Sequence, residues 1–148
     1  MTATNTQVVT EWVKSLSTVD ATKVGPTLPA DPAVWADTGF WQVAVVGGSP
    51  NVDLGLKQPV VEVSCWTVDT ATAFPPYNRA EAMAADVLEE ALSALTQTLS
   101  VQTGWNPPVN ASVVLLGVSP VSEPMRVPDP RTGYARVMVQ VQAWWDVS

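Results

Sequence analysis

The sequence predicts an α+β fold, with a mainly antiparallel four-stranded sheet, two helices packed on one face and a long C-terminal β-hairpin. Three observations carry that expectation. Two segments repeat apolar residues at helical spacing, residues 4–17 and 79–99. Four runs rich in valine read as strands, residues 40–46, 59–68, 111–118 and 133–147. Clusters of Pro, Gly, Asn and Asp separate these segments, and no internal repeat or linker divides the 148 residues, so one domain is expected.

In the first helix Val8, Trp12 and Leu16 recur at i, i+4 and i+8, with Val9 and Val13 beside them, while Glu11 and Lys14 lie off that stripe. Residues 24–29 then read as a short extended segment, because Pro26 and Pro29 exclude a helix interior. Residues 30–38 form a loop around Asp31-Pro32. After the strand 40–46, residues 47–58 make a long connection, and long connections often carry function. On the strand 59–68, Val61, Val63 and Cys65 share one face, and Val60, Glu62, Ser64 and Trp66 the other. After a loop at 69–76, Asn78 is placed to cap the second helix, with Glu81 in its first turn. Leu88, Leu92, Leu95 and Leu99 recur along that helix, and Ala84, Ala85 and Ala91 fill its buried side. Pro107-Pro108 break the chain before the last two long strands, which flank a segment holding Pro120, Pro124, Pro128 and Pro130. The final strand alternates, with Ala135, Val137, Val139, Val141 and Ala143 on one side.

Composition narrows the chemistry. The chain has no histidine, which removes Ser/His and Cys/His nucleophilic pairs and histidine-bound metals. Its one cysteine, Cys65, excludes an intrachain disulfide and a multi-cysteine zinc site, and reads as a small buried hydrophobe. Neither a phosphate-binding GxxxxGK[ST] loop nor a GxSxG elbow occurs. Asp86, Glu89 and Glu90 admit a metal or acid/base reading, but their spacing suits the solvated face of an amphipathic helix. Asp53, Glu62 and Asp129 would be the acids of a metal-dependent hydrolase, the enzymatic alternative. No catalytic group, cofactor or metal is expected.

Acids outnumber bases 14 to 7, giving a net charge of −7. Such a chain does not grip phosphate backbones nonspecifically. No apolar run reaches the length of a membrane span, and residues 1–10 lack the features of a signal peptide. Charged residues are only 14% of the chain, against about 25% in an ordinary domain. Valine is abundant and isoleucine absent, a bias of GC-rich codons.

Interaction surfaces are the remaining candidates. Trp144 and Trp145 are adjacent on a strand and must point to opposite faces, so one needs a cover that two helices on one face cannot supply. That cover is either a neighbouring molecule or a loop of the chain. Small-ligand binding by such tryptophans is a further alternative. Arg126, Arg131 and Arg136 cluster around the long hairpin, while most acids lie elsewhere, an arrangement suited to head-to-tail pairing of copies. In the long loop, Asp53, Leu54, Leu56 and Lys57 combine apolar groups with charges.

The order of these pieces resembles a known family. A first helix leads to Val24-Gly25-Pro26-Thr27-Leu28-Pro29, a strand ends in Val45-Val46-Gly47-Gly48, and a loop carries Asp53. The strand Pro59-Val60-Val61-Glu62-Val63-Ser64-Cys65-Trp66 follows, then Pro75-Pro76 and the helix start Asn78-Arg79-Ala80-Glu81-Ala82. A hairpin with Pro124, Asp129 and Arg136 closes on alternating valines. This texture, over roughly residues 5–146, resembles the tail terminator (tail completion) proteins of siphophages that infect actinobacteria.

The resemblance implies a virion structural protein of the tail-neck region, assembled in the host cytoplasm. It implies a ring of identical subunits, six by expectation, on the head-proximal end of the tail tube. Its partners would be copies of itself, the tail-tube protein and a head-completion or stopper protein. DNA would pass through the lumen without specific binding, and no membrane is involved. Asp53, Leu54, Leu56 and Lys57, with Arg126, Arg131 and Arg136, are the expected subunit or tail-tube contacts. Another head-tail connector component, a stopper or joining protein, is the alternative within the same class.

Overall fold

A computed structural model describes residues 3–50, 55–72, 74–104 and 107–147. The elements in chain order are α1 (Asn5–Lys14), β1 (Val24–Gly25), β2 (Phe40–Gly48), β3 (Pro59–Val68), α2 (Tyr77–Leu92), β4 (Gln97–Thr103), β5 (Val109–Pro120), β6 (Met125–Val127) and β7 (Tyr134–Val147). The chain is α+β, but the expected four-stranded antiparallel sheet is incorrect. The strands form one seven-stranded mixed sheet in the order β1-β2-β3-β7-β5-β4, with β6 also on β7, curled into a half-barrel.

Three further strands account for the difference. Val24 and Gly25 pair in parallel with Trp41 and Gln42. Parallel neighbours need a long crossover, and residues 26–39 supply it. Residues 97–103 extend no helix. Leu99, Val101 and Thr103 are buried, and Gln97, Thr98, Ser100 and Gln102 are more exposed, a period of two. Leu99 satisfies both periods, which is how the leucine spacing extended the predicted helix too far. Met125, Arg126 and Val127 fit between Pro124 and Pro128 and pair with Met138, Val137 and Arg136. Prolines are tolerated at the ends of such a short edge strand.

The helices do lie on one face, as expected. Thr4 caps α1 with a reciprocal bond: Gln7 N–H donates to its hydroxyl at 3.2 Å, and Thr4 N–H donates to Gln7 Oε1 at 2.9 Å. Val8, Val9, Trp12, Val13 and Leu16 are buried. Helix α2 starts after Pro76 with no side-chain cap, so Asn78 does not cap it. Its buried line is Ala80, Met83, Ala84, Val87 and Ala91. Leu92 and Leu95 are 76% and 81% exposed. The smaller residues face inward because α2 packs closely on β3, β5 and β7. The core completes with Val61, Val63 and Cys65 of β3 and alternate residues of β7, Ala135 through Trp145.

The crossover covers part of the second face. Trp35, fully buried, packs there with Phe40, Trp66 and Val68, beside Leu28 and Tyr134. Two bulges, at Val46 and at Leu116, shift the registers of β2 on β3 and of β5 on β7. Bulges add bend and twist to a strand, in keeping with the curl. Gly133 closes the return from β6 at φ +82°. A Cβ there would lie 2.4 Å from the Asp69 carbonyl oxygen, so the close approach of the two backbones requires glycine.

Candidate functional site

Each of the three arginines pairs with an acid of its own chain, Arg131 and Arg136 on the second face and Arg126 beside α2. Arg131 forks onto Asp129, Nε to Oδ1 at 2.8 Å and Nη2 to Oδ2 at 2.9 Å. Its guanidinium also lies 4.2 Å from the Tyr134 ring centre and 5.1 Å from that of Trp66. The bond from Arg131 holds the Asp129 carboxyl below its ordinary range. Arg136 donates to Glu62 at 2.8 Å and to the Ser64 hydroxyl at 3.1 Å, and lies over Trp66 at 5.3 Å. Trp66 in turn donates its indole N–H to Gln42 at 2.9 Å. Arg126 pairs with Glu81 of α2 at 2.5 Å and lies 4.8 Å from the Tyr77 ring centre.

These geometries differ in what they leave available. The Arg126 and Glu81 side chains are 55% and 42% exposed. Glu62 is 17% exposed and Asp129 12%. Arg131 and Arg136 therefore clamp β7 to β3 and to the β6–β7 turn. Arg126 is a solvent-facing group that another acid can reach.

In the long loop, Asp53 and Leu54 lie outside the described residues. Leu56 is half-buried, and Lys57 is exposed with its backbone paired to β7. Lys57 N–H donates to the Trp145 carbonyl at 2.9 Å, and Trp145 N–H donates back at 3.0 Å. The loop thus returns to the sheet at Lys57. A cavity of about 400 Å³ lies beside it, lined by Asn5, Gly48, Pro50, Lys57 and Trp145 among others. Trp145 donates its indole N–H to Asn5 there, at 2.9 Å.

The aromatic question has a specific answer. Trp12, Trp41, Trp66 and Trp145 are all buried. Trp144 faces away from the helices and is half-buried. The cover for Trp66 comes from the chain itself, through the crossover and Tyr134, whose ring centre stands 6.4 Å from that of Trp66. Trp35 was not distinguished by sequence reasoning, and the signal for it was the parallel crossover.

The acids of α2 do not converge. Glu90 accepts from the Ser17 N–H at 2.8 Å and from the hydroxyls of Ser17 and Thr18, so it fastens the end of α1. Among the described residues, no group of three or more acids or thiols is placed to hold a metal ion. Cys65 is buried, and burial pushes its thiol well above the ordinary value. No described helix is long and apolar enough to cross a membrane.

The feature that periodicity misplaced is an apolar groove of about 520 Å³ between α2 and the β5–β6 turn. Ala85, Leu88 and Leu92 form one wall, and Pro120, Val121 and Pro124 the other, with Glu89 and Glu123 also lining it. Val121 is 51% exposed. A scan of the sequence against protein-family models finds no match, and a search of curated proteins finds none.

Proposed function

We propose that this chain is a subunit of a phage tail terminator ring, seated on the head-proximal end of the tail tube. The observation that carries the reading is the apolar groove at Leu92 and Val121 on a subunit whose own core is already complete. Leu92 and Val121 are exposed side chains on one groove of a finished domain, a surface on which an apolar partner can dock. The resemblance of the sequence order to that of tail terminators supplies the class, and the acidic balance suits a lumen that DNA traverses without adhering.

In this reading Arg126 exchanges Glu81 for an acid of the neighbouring subunit. Arg131 and Arg136 keep their internal acids and hold the shape of the face. Asp53, Leu54, Leu56 and Lys57 meet the neighbour or the tube. Because Lys57 is tied to Trp145, point changes at Leu56 and Lys57 test this contact better than deletion of the segment.

The test is native mass spectrometry over a concentration series, with negative-stain images of the heaviest species. Six copies of a 15.8 kDa chain weigh about 95 kDa, and head-to-tail contacts close into rings when the rotation permits. Ring-shaped particles with an open centre support the reading. A single copy at every concentration, with no binding to cognate tail tubes, overturns it. Binding to filled heads and not to tubes assigns the chain to a neighbouring connector component.

A further inference from the structure

The curled sheet ends in two edges that no described strand covers. At one end, β4 pairs only with β5. Its Gln102 carbonyl points away from β5 and accepts from Gln7 Nε2 at 3.0 Å. By alternation, the backbone groups of Thr98 and Ser100 point the same way. At the other end, β1 pairs with β2 at Trp41 and Gln42, and no described strand pairs with the outer side of residues 43–48.

Proteins that stay apart guard such edges with charges, lysines or prolines. Neither strand edge carries any in its own residues, although Glu11, Lys14 and Pro26 line the groove beside β4. Gln97–Thr103 reads QTLSVQT, and residues 43–48 read VAVVGG. The two stretches are similar in length, and Val45 and Val46 are 36% and 50% exposed. A groove of about 560 Å³ runs beside β4, lined by Ser100, Gln102, Gln7, Thr10 and Pro26 among others. The Thr10 hydroxyl, on the α1 wall of that groove, is buried and has no hydrogen-bond partner.

We propose that β4 accepts the free edge of β2 from a second copy of the chain, as an added strand held by main-chain hydrogen bonds. The two edges are different surfaces of one subunit, so the contact is head to tail and leaves one free edge at each end. Such a series terminates only by closing. The inference rests on the ring reading for its closure, and it assigns the subunit contact to specific backbone.

Ser100→Pro tests it. The substitution removes an outward N–H and leaves the β5-facing ladder of β4 its donors. Association, measured by native mass spectrometry alone and with cognate tubes, should weaken at least tenfold while the melting temperature stays within a few degrees. A second measurement does not depend on that fold. Ser100→Cys and Val45→Cys proteins are mixed and treated with a short bis-maleimide. A linked pair that forms only in the mixture supports the β4–β2 contact. Equal linking of Ser100→Cys protein alone, or no linking in the mixture, overturns it. Rings that persist with Ser100→Pro overturn this contact and leave the ring reading standing. A chain that stays single both alone and with tubes overturns both.

Discussion

Asp129 and Trp35 show what individual residues contribute. Asp129 is held below its ordinary value of 3.8, first by the hydrogen bond from Arg131. A carboxyl lowered in the folded state stabilises the protein above its unfolded value, and that contribution disappears as pH falls through the lowered one. Asp129→Asn should therefore be less stable than the parent near neutrality, with the gap shrinking as pH drops from about 5 toward 2. Denaturant midpoints across that range check it, and a gap constant with pH would contradict it. Asp69 is lowered too, by the Thr72 hydroxyl first and then by backbone N–H groups of Thr72 and Ala71, so the Asp129→Asn variant keeps some acid sensitivity of its own. Trp35 is fully buried and donates its indole N–H to the Pro29 carbonyl at 3.2 Å. Trp35→Ala should cost about 3–5 kcal/mol by thermal or denaturant unfolding. A much smaller loss would mean that the crossover does not seal the second face.

At the scale of elements, α2 separates helical spacing from actual burial. Val87 is fully buried and Leu92 is 76% exposed. Val87→Ala should cost about 2 kcal/mol, and Leu92→Ala should change monomer stability by less than about 0.5 kcal/mol. The reverse order would restore the leucine line as the core face. Much of the architecture was legible because single periods dominated. The bounds of β3 match the alternation of residues 59–68, and Ala135 through Ala143 face the core as their spacing requires. What was not legible was set by partners distant in sequence. Two residues, Val24 and Gly25, make a parallel strand only because β2 lies beside them. The three residues of β6 are a strand only against β7. Residues 93–99 fit either period until Val101 is known to be buried. The candidate surfaces were legible as residue types, since the arginines and the loop stood out, but their internal partners were not. Glu62 is 74 positions from Arg136, and Glu81 is 45 from Arg126.

For the whole molecule, the surface divides into parts that the fold uses and parts that it leaves open. The Arg131–Asp129 and Arg136–Glu62 pairs belong to the fold. Arg126–Glu81, the groove at Leu92 and the uncharged edges of β2 and β4 are open. Arg126→Glu should leave monomer stability within about 1 kcal/mol, since exposed pairs contribute little, yet weaken assembly by placing an acid against an acid. Denaturant unfolding checks the first half and sedimentation beside the wild type the second, and unchanged assembly would remove Arg126 from the interface.

The central claim is that the assembled subunits end a tail tube, and it is tested most directly at the tube end itself. Polymerising cognate tube protein, imaged by negative stain with and without this chain, should show an annular cap at one end and shorter tubes that stop growing. Bare ends and unchanged lengths at saturating chain would contradict it.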